Sequence, residues 1–248
     1  MCAKLHIPDH LILPFGTKTK FNLDKVKLIS VSADGIYLDI DIPVVYIDRS
    51  ERKPITFLDF YMIFDDVAHQ KSKDVAVHLN YIRDNIKKYM PNPNKYELMF
   101  LDLYFEILLE DLGWGVGGTD DAPEVVFNAL IPIPEMQLYV QDPLDEMPTF
   151  DPQTNFRVDF GFWTGEQLVA IEIDGAKPQD YARDLRRDRL LRRAGVDVIN
   201  VHNLELERHR AQAIQQLLPK SILQTFHDKP PPDGRWPFLG RSGRFRER

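Results

Sequence analysis

The stretch from Asn155 to Val201 constrains this chain more than any other. It reads as a strand, NFRVDFGFW, a turn, TGEQ, a second strand, LVAIEID, a helix from Gln179 to Ala194 closed by Gly195, and an apolar strand, VDVINV. The short turn makes the first two strands an antiparallel hairpin. The crossover through a helix makes the strand from Val196 parallel to its sheet neighbour. A helix opened by Asn203 follows. The pattern is β, β, α, β, α, and it predicts an α/β fold with a mixed sheet flanked by helices.

The rest of the chain is organised around that core. GIYLDIDIPVVYID alternates apolar and polar positions, with Ile36, Leu38, Ile40 and Ile42 on one face, and Asp34 and Gly35 supply a turn to a preceding strand around Val26 to Ser32. Helical periodicity covers roughly residues 56–68 and 73–89. Pro91, Asn92, Pro93 and Asn94 then break the chain, so residues 1–90 are expected to form an N-terminal accessory α+β module and residues 91–227 the principal domain. KYELMFLDLYFEILLEDL, from Lys95 to Leu112, is apolar on more than one face and predicts a helix buried between layers, ended by Gly113. Residues 117–152 resist assignment, although NALIPIPEMQLYV has room for a strand interrupted by Pro132 and Pro134. Residues 228–248, with four prolines and five arginines, read as an extended tail in which Trp236, Phe238 and Phe245 interleave with arginine.

Composition sets the boundaries of function. A single cysteine, Cys2, rules out an internal disulfide framework and a thiolate zinc cage, and makes a reducing cytoplasm the default expectation. No apolar run approaches the roughly 20 residues of a membrane span. The formal charge of -7 argues at first against a nucleic-acid partner. Its distribution weakens that argument: residues 1–95 carry +2, residues 96–156 carry -13, and residues 157–248 carry +4 and concentrate arginine. GWGVGG at 113–118 lacks the lysine and hydroxyl of a phosphate-binding loop, so ATP use is not expected. None of the seven histidines forms a metal-binding pair in the core, and His202, at the end of the last strand, reads as structural.

The carboxylates of the hairpin are the chemical signal. Alternation puts Arg157, Asp159, Gly161 and Trp163 on one face of the first strand, and Leu168, Ala170, Glu172 and Asp174 on one face of the second. The turn near Gly165 brings Asp159 beside Glu172 and Asp174. Three clustered carboxylates repel and call for a cation, and oxygen-only ligands suit Mg²⁺, with Mn²⁺ as a substitute. That chemistry serves phosphodiester hydrolysis. The helix after the hairpin carries Arg183, Arg186, Arg187, Arg189, Arg192 and Arg193, suited to a phosphate backbone. Spacing alone leaves open the alternative of exposed acids on a hairpin beside a helix that makes its own ion pairs.

The pieces RVDF, EIDG, RRDRLL and AGVDVINV, in that order, resemble the core of the PD-(D/E)XK nuclease superfamily, and most closely the bacterial very-short-patch-repair-like endonucleases. The resemblance covers roughly residues 95–205. It implies a restriction-endonuclease-like sheet core, with Asp159 and Glu172 as metal ligands and Asp174 where many members carry lysine, a departure shared by the ExDG group. It also implies that Glu97 matches the glutamate of the first helix. Pro178 stands where the group commonly has histidine, and Lys177 beside it is the remaining candidate for a positive group that orients water. The expectation is a Mg²⁺-dependent endonuclease acting on DNA. Catalysis would fall to Glu97, Asp159, Glu172, Asp174 and Lys177, and DNA contact to Arg183, Arg186 and Arg187. A protein partner would dock through the N-terminal module or the tail. The competing expectation is a non-catalytic assembly subunit built on the same fold.

Overall fold

The computed structural model describes residues 10–17, 27–32, 35–39, 44–57, 59, 75–111, 129–140, 155–174 and 181–223. At its centre lies a four-stranded mixed sheet. In chain order its strands are β5 (Ile133–Tyr139), β6 (Asn155–Trp163), β7 (Leu168–Asp174) and β8 (Val196–His202), and they lie side by side in that same order. The β5–β6 and β6–β7 pairs are antiparallel, and β7–β8 is parallel with Leu168 opposite Val196 and Asp174 opposite His202. Both the hairpin and the parallel crossover expected from the pattern are present.

The alternation along β6 sorts its side chains. Val158, Phe160 and Phe162 are wholly buried, and each aromatic contributes about 2–3 kcal/mol of apolar burial. They meet α2 (Lys95–Asp111), which follows α1 (Val75–Lys88) after the Pro91–Asn94 break. Phe100 lies 5.0 Å from Phe160 and Tyr104 lies 5.4 Å from Phe162, ring centre to ring centre. Another side of α2 meets Phe57 through Phe105, edge to face at 5.1 Å. Leu79, Ile82 and Ile86 of α1 belong to the same buried cluster. A helix apolar on several faces is therefore one packed from several sides. Tyr104, fully enclosed, donates its hydroxyl to the Leu130 carbonyl at 2.7 Å, so the core closes without an orphaned phenol.

The opposite face of the sheet is covered in part by α3 (Tyr181–Arg193), the crossover helix, whose Leu190 and Leu191 are buried. The turn between β6 and β7 depends on Gly165, at φ 92°, where a side chain would overlap the Arg52 carbonyl oxygen. After β8 come α4 (Asn203–His209), α5 (Ala211–Leu217) and the short α6 (Lys220–Leu223). The residue capping α4 is His202 rather than Asn203. Its Nδ1 accepts the Leu204 N–H at 3.2 Å, while Glu205 reaches back to the His202 N–H.

The N-terminal part holds two antiparallel pairs, β1 (His10–Pro14) with β4 (Val44–Asp48), and β2 (Lys27–Ser32) with β3 (Gly35–Asp39). The second is the hairpin read from the alternation. Backbone bonds join this part to the central sheet and to the segment that leads into β5: Gly16 N–H to Pro134 O at 3.1 Å, Ile55 N–H to Trp163 O at 3.2 Å, and Phe57 N–H to Ala129 O at 2.9 Å. Leu13, Phe15, Val45, Ile47 and Ile55 share one hydrophobic cluster with the strands of the sheet. Most of the expected 56–68 helix, Gly113, and the 228–248 tail lie outside the described residues. Among the described residues no helix is long and apolar enough to cross a membrane.

Candidate active site at the splayed end of the hairpin

The ladder between β6 and β7 runs from Trp163–Leu168 to Phe160–Ile171 and stops. Beyond that point the strands part, and the Ile173 N–H is taken by a side chain, the Asp159 carboxylate, through Oδ2 at 2.7 Å. Asp159 thus closes a gap in the backbone pairing. Glu172 lies one residue before Ile173 on β7. By alternation, register and the position of α3, its face is that of Asp159.

Four further charged groups crowd these two. Arg187 of α3 forms an ion pair with Glu172 through Nη2 and Oε1, and both side chains are largely enclosed, at 23% and 12% exposure. Arg157, two residues before Asp159, pairs through Nε with Oε2 of Glu135 at 2.8 Å. Glu135, on β5, is almost completely buried and has a left-handed backbone, φ 49°. Glu97, in the first turn of α2, is also buried, and both of its oxygens face Asn94: Oε2 accepts the Asn94 N–H at 3.1 Å and Oε1 the Asn94 side-chain amide at 2.5 Å. Asn94 in turn accepts the N–H groups of Tyr96 and Glu97. This is a reciprocal capping box, which fixes Glu97 as a helix-start residue whatever else it does.

The electrostatics follow from this crowding. Burial lifts the Asp159 carboxyl from 3.8 to about 6. The Ile173 N–H opposes the lift, the Glu97 charge adds to it, and Arg157 and Arg187 pull downward. Burial also moves the Arg187 guanidinium below its usual range, against the pull of Asp188 and Asp159 and with a push from Arg157.

Of the residues read from the sequence, Asp159, Glu172, Glu97 and Arg187 are brought into one electrostatic neighbourhood. The backbone of Asp174 ends β7 beside His202, but its side chain, together with Lys177, Pro178 and the side chain of Arg183, lies outside what is described. Arg186 is exposed on α3. Among the described residues no group of three or more histidines, cysteines and acids stands close enough to hold a metal ion, and the side chain of Asp174, the third carboxylate of the expected triad, is not among them. Sequence reasoning missed Glu135, which sits in the segment that resisted assignment, and missed that Arg187 reaches Glu172. A cavity of about 90 Å³ lined by Leu11, Trp163, Leu168 and Val196 lies at the other end of the strands, away from these charges.

A scan against family models, a search of curated proteins and a search of solved structures each found no match to this chain.

Proposed function

We propose that this chain is a Mg²⁺-dependent endonuclease of the PD-(D/E)XK type that hydrolyses DNA phosphodiester bonds. The observation that carries the reading is the position of Asp159 and Glu172 on one face where β6 and β7 part, with Asp159 held at about 6 by burial. A carboxylate lifted in this way is one that a cation would return to its charged form. The donors fit the ion in kind: hard carboxylate oxygens are what Mg²⁺ uses alongside water and phosphate.

In this reading Asp159 and Glu172 hold the ion, with Asp174 at the end of the same strand as a third ligand. When bound, the ion supplies charge neutralisation at the phosphate and a more acidic water. Asp159 contributes its orientation, because the Ile173 N–H fixes one oxygen and leaves the other to ligate. Glu97 acts on Asp159 through its charge rather than as a ligand, its oxygens being taken by Asn94. Lys177 is the candidate for orienting water, and Arg183 and Arg186 for contact with the DNA backbone.

A specific observation also favours the second reading, an assembly subunit that has kept the nuclease fold. Arg187 already neutralises Glu172, which is how a retired metal site would be made stable. Cleavage of supercoiled, linear and single-stranded DNA with Mg²⁺ or Mn²⁺ separates the two. Cutting by wild type that is lost in both Asp159→Ala and Glu172→Ala supports the nuclease. Cutting that survives in both, or no cutting by any of the three, sinks it.

A further inference from the structure

Arg187 sits awkwardly for a purely structural ion pair. Its guanidinium is drawn in from α3 to Glu172, and its Nε finds no hydrogen-bond partner among the described residues. A buried donor left unsatisfied is destabilising, so the position is not one that guanidinium geometry alone would select. Its counterpart is equally constrained. With Asp159 bonded to Ile173 and Glu97 bonded to Asn94, Glu172 is the site carboxylate that Arg187 pairs directly. Removing the arginine would leave Glu172 nearly buried, beside Asp159 and without a positive partner.

We propose that Arg187 is a built-in counter-cation that competes with the divalent ion for Glu172, neutralising that carboxylate until the ion displaces the guanidinium. The inference rests on the metal-binding reading above and adds to it a residue that opposes binding. It runs against the simple view of α3 as a row of DNA contacts, because Arg187 faces the carboxylate and not the outside. Ion binding then requires Arg187 to leave Glu172, and the measured affinity includes the loss of that pair.

The test is calorimetric titration of the full chain with MnCl₂, using wild type, Arg187→Met, Arg187→Lys and Glu172→Gln, each first checked for folding by circular dichroism. Methionine keeps the apolar stem and removes the charge. The expected result is Mn²⁺ binding about tenfold tighter in Arg187→Met than in wild type, an intermediate value in Arg187→Lys, and loss of binding in Glu172→Gln. Thermal melts give a second reading: ion-free Arg187→Met melts below wild type, and saturating Mn²⁺ raises its Tm by more. If Arg187→Met does not fold, Arg187→Lys carries the comparison, because its shorter, compact cation is a poorer competitor at the same distance. Wild type that binds Mn²⁺ as tightly as the arginine variants, or more tightly, overturns the competition and leaves the metal site standing. Absence of binding in wild type and every variant, or binding untouched by Glu172→Gln, overturns the metal reading at these residues and the competition with it.

Discussion

At the scale of single residues, Asp159 joins structure to chemistry. Its folded pKa of about 6 lies above the ordinary 3.8, so in the ion-free protein its contribution to stability is full below about pH 4 and is lost as pH rises through 6. The loss is on the order of 2–3 kcal/mol by linkage. An asparagine at this position would keep an oxygen for the Ile173 N–H and remove the buried charge. Asp159→Asn is therefore expected to be more stable than wild type at pH 8 in EDTA and to lose that advantage near pH 4, as read by urea denaturation at the two pH values. The stabilising direction is informative, since a purely structural aspartate would lose stability on the same change. The alternation of β6 and β7 makes Asp159 and Glu172 legible in the sequence. Glu135 is not legible there, because its burial depends on a left-handed backbone and on Arg157 from the neighbouring strand, and neither leaves a local pattern.

At the scale of elements, α2 shows how one residue can serve two levels. Its length and apolar girth are readable from KYELMFLDLYFEILLEDL, and its packing against both Phe57 and the Phe160–Phe162 row explains why no single face is polar. The role of its first turn is not readable, because the family resemblance draws attention to Glu97 as a catalytic residue while Asn94, three residues earlier, makes it a capping partner. Asn94→Ala is expected to cost about 1–2 kcal/mol in urea denaturation, removing the cap and leaving the buried Glu97 carboxylate poorly satisfied. Glu97→Gln, whose amide oxygen can still accept the Asn94 N–H, is expected to cost much less and to lower the Asp159 pKa, measurable by NMR titration of the side-chain carboxyl. β5 carries the opposite lesson. Pro134 argues against a strand, yet it pairs with Phe160 at the margin of the sheet, where its carbonyl accepts from Gly16. Gly161 takes part in the same packing, since a side chain there would overlap the Met136 thioether.

At the scale of the whole molecule, residues of the first 57 positions and of the last described helix belong to one hydrophobic cluster, from Leu13 to Ile222. The N-terminal strands are joined to the sheet by backbone bonds and by the Trp163 indole, which donates to the Lys53 carbonyl at 2.8 Å. Far-ultraviolet circular dichroism and tryptophan fluorescence are therefore expected to report one coincident urea transition, and two separated transitions would show that the N-terminal part unfolds on its own. The sequence by itself determined the order of the elements from β6 to α4, the mixed direction of their sheet and the face on which Asp159 and Glu172 stand. All three follow from period-2 and period-3.6 patterns and from connection length, which are local. Only the tertiary structure decided which charges meet. Arg187 on Glu172, Arg157 on Glu135 and Glu97 beside Asp159 join residues far apart in the chain and on different strands and helices. Such pairings arise from how layers stack and how far two strands part, and spacing along a chain carries no record of either.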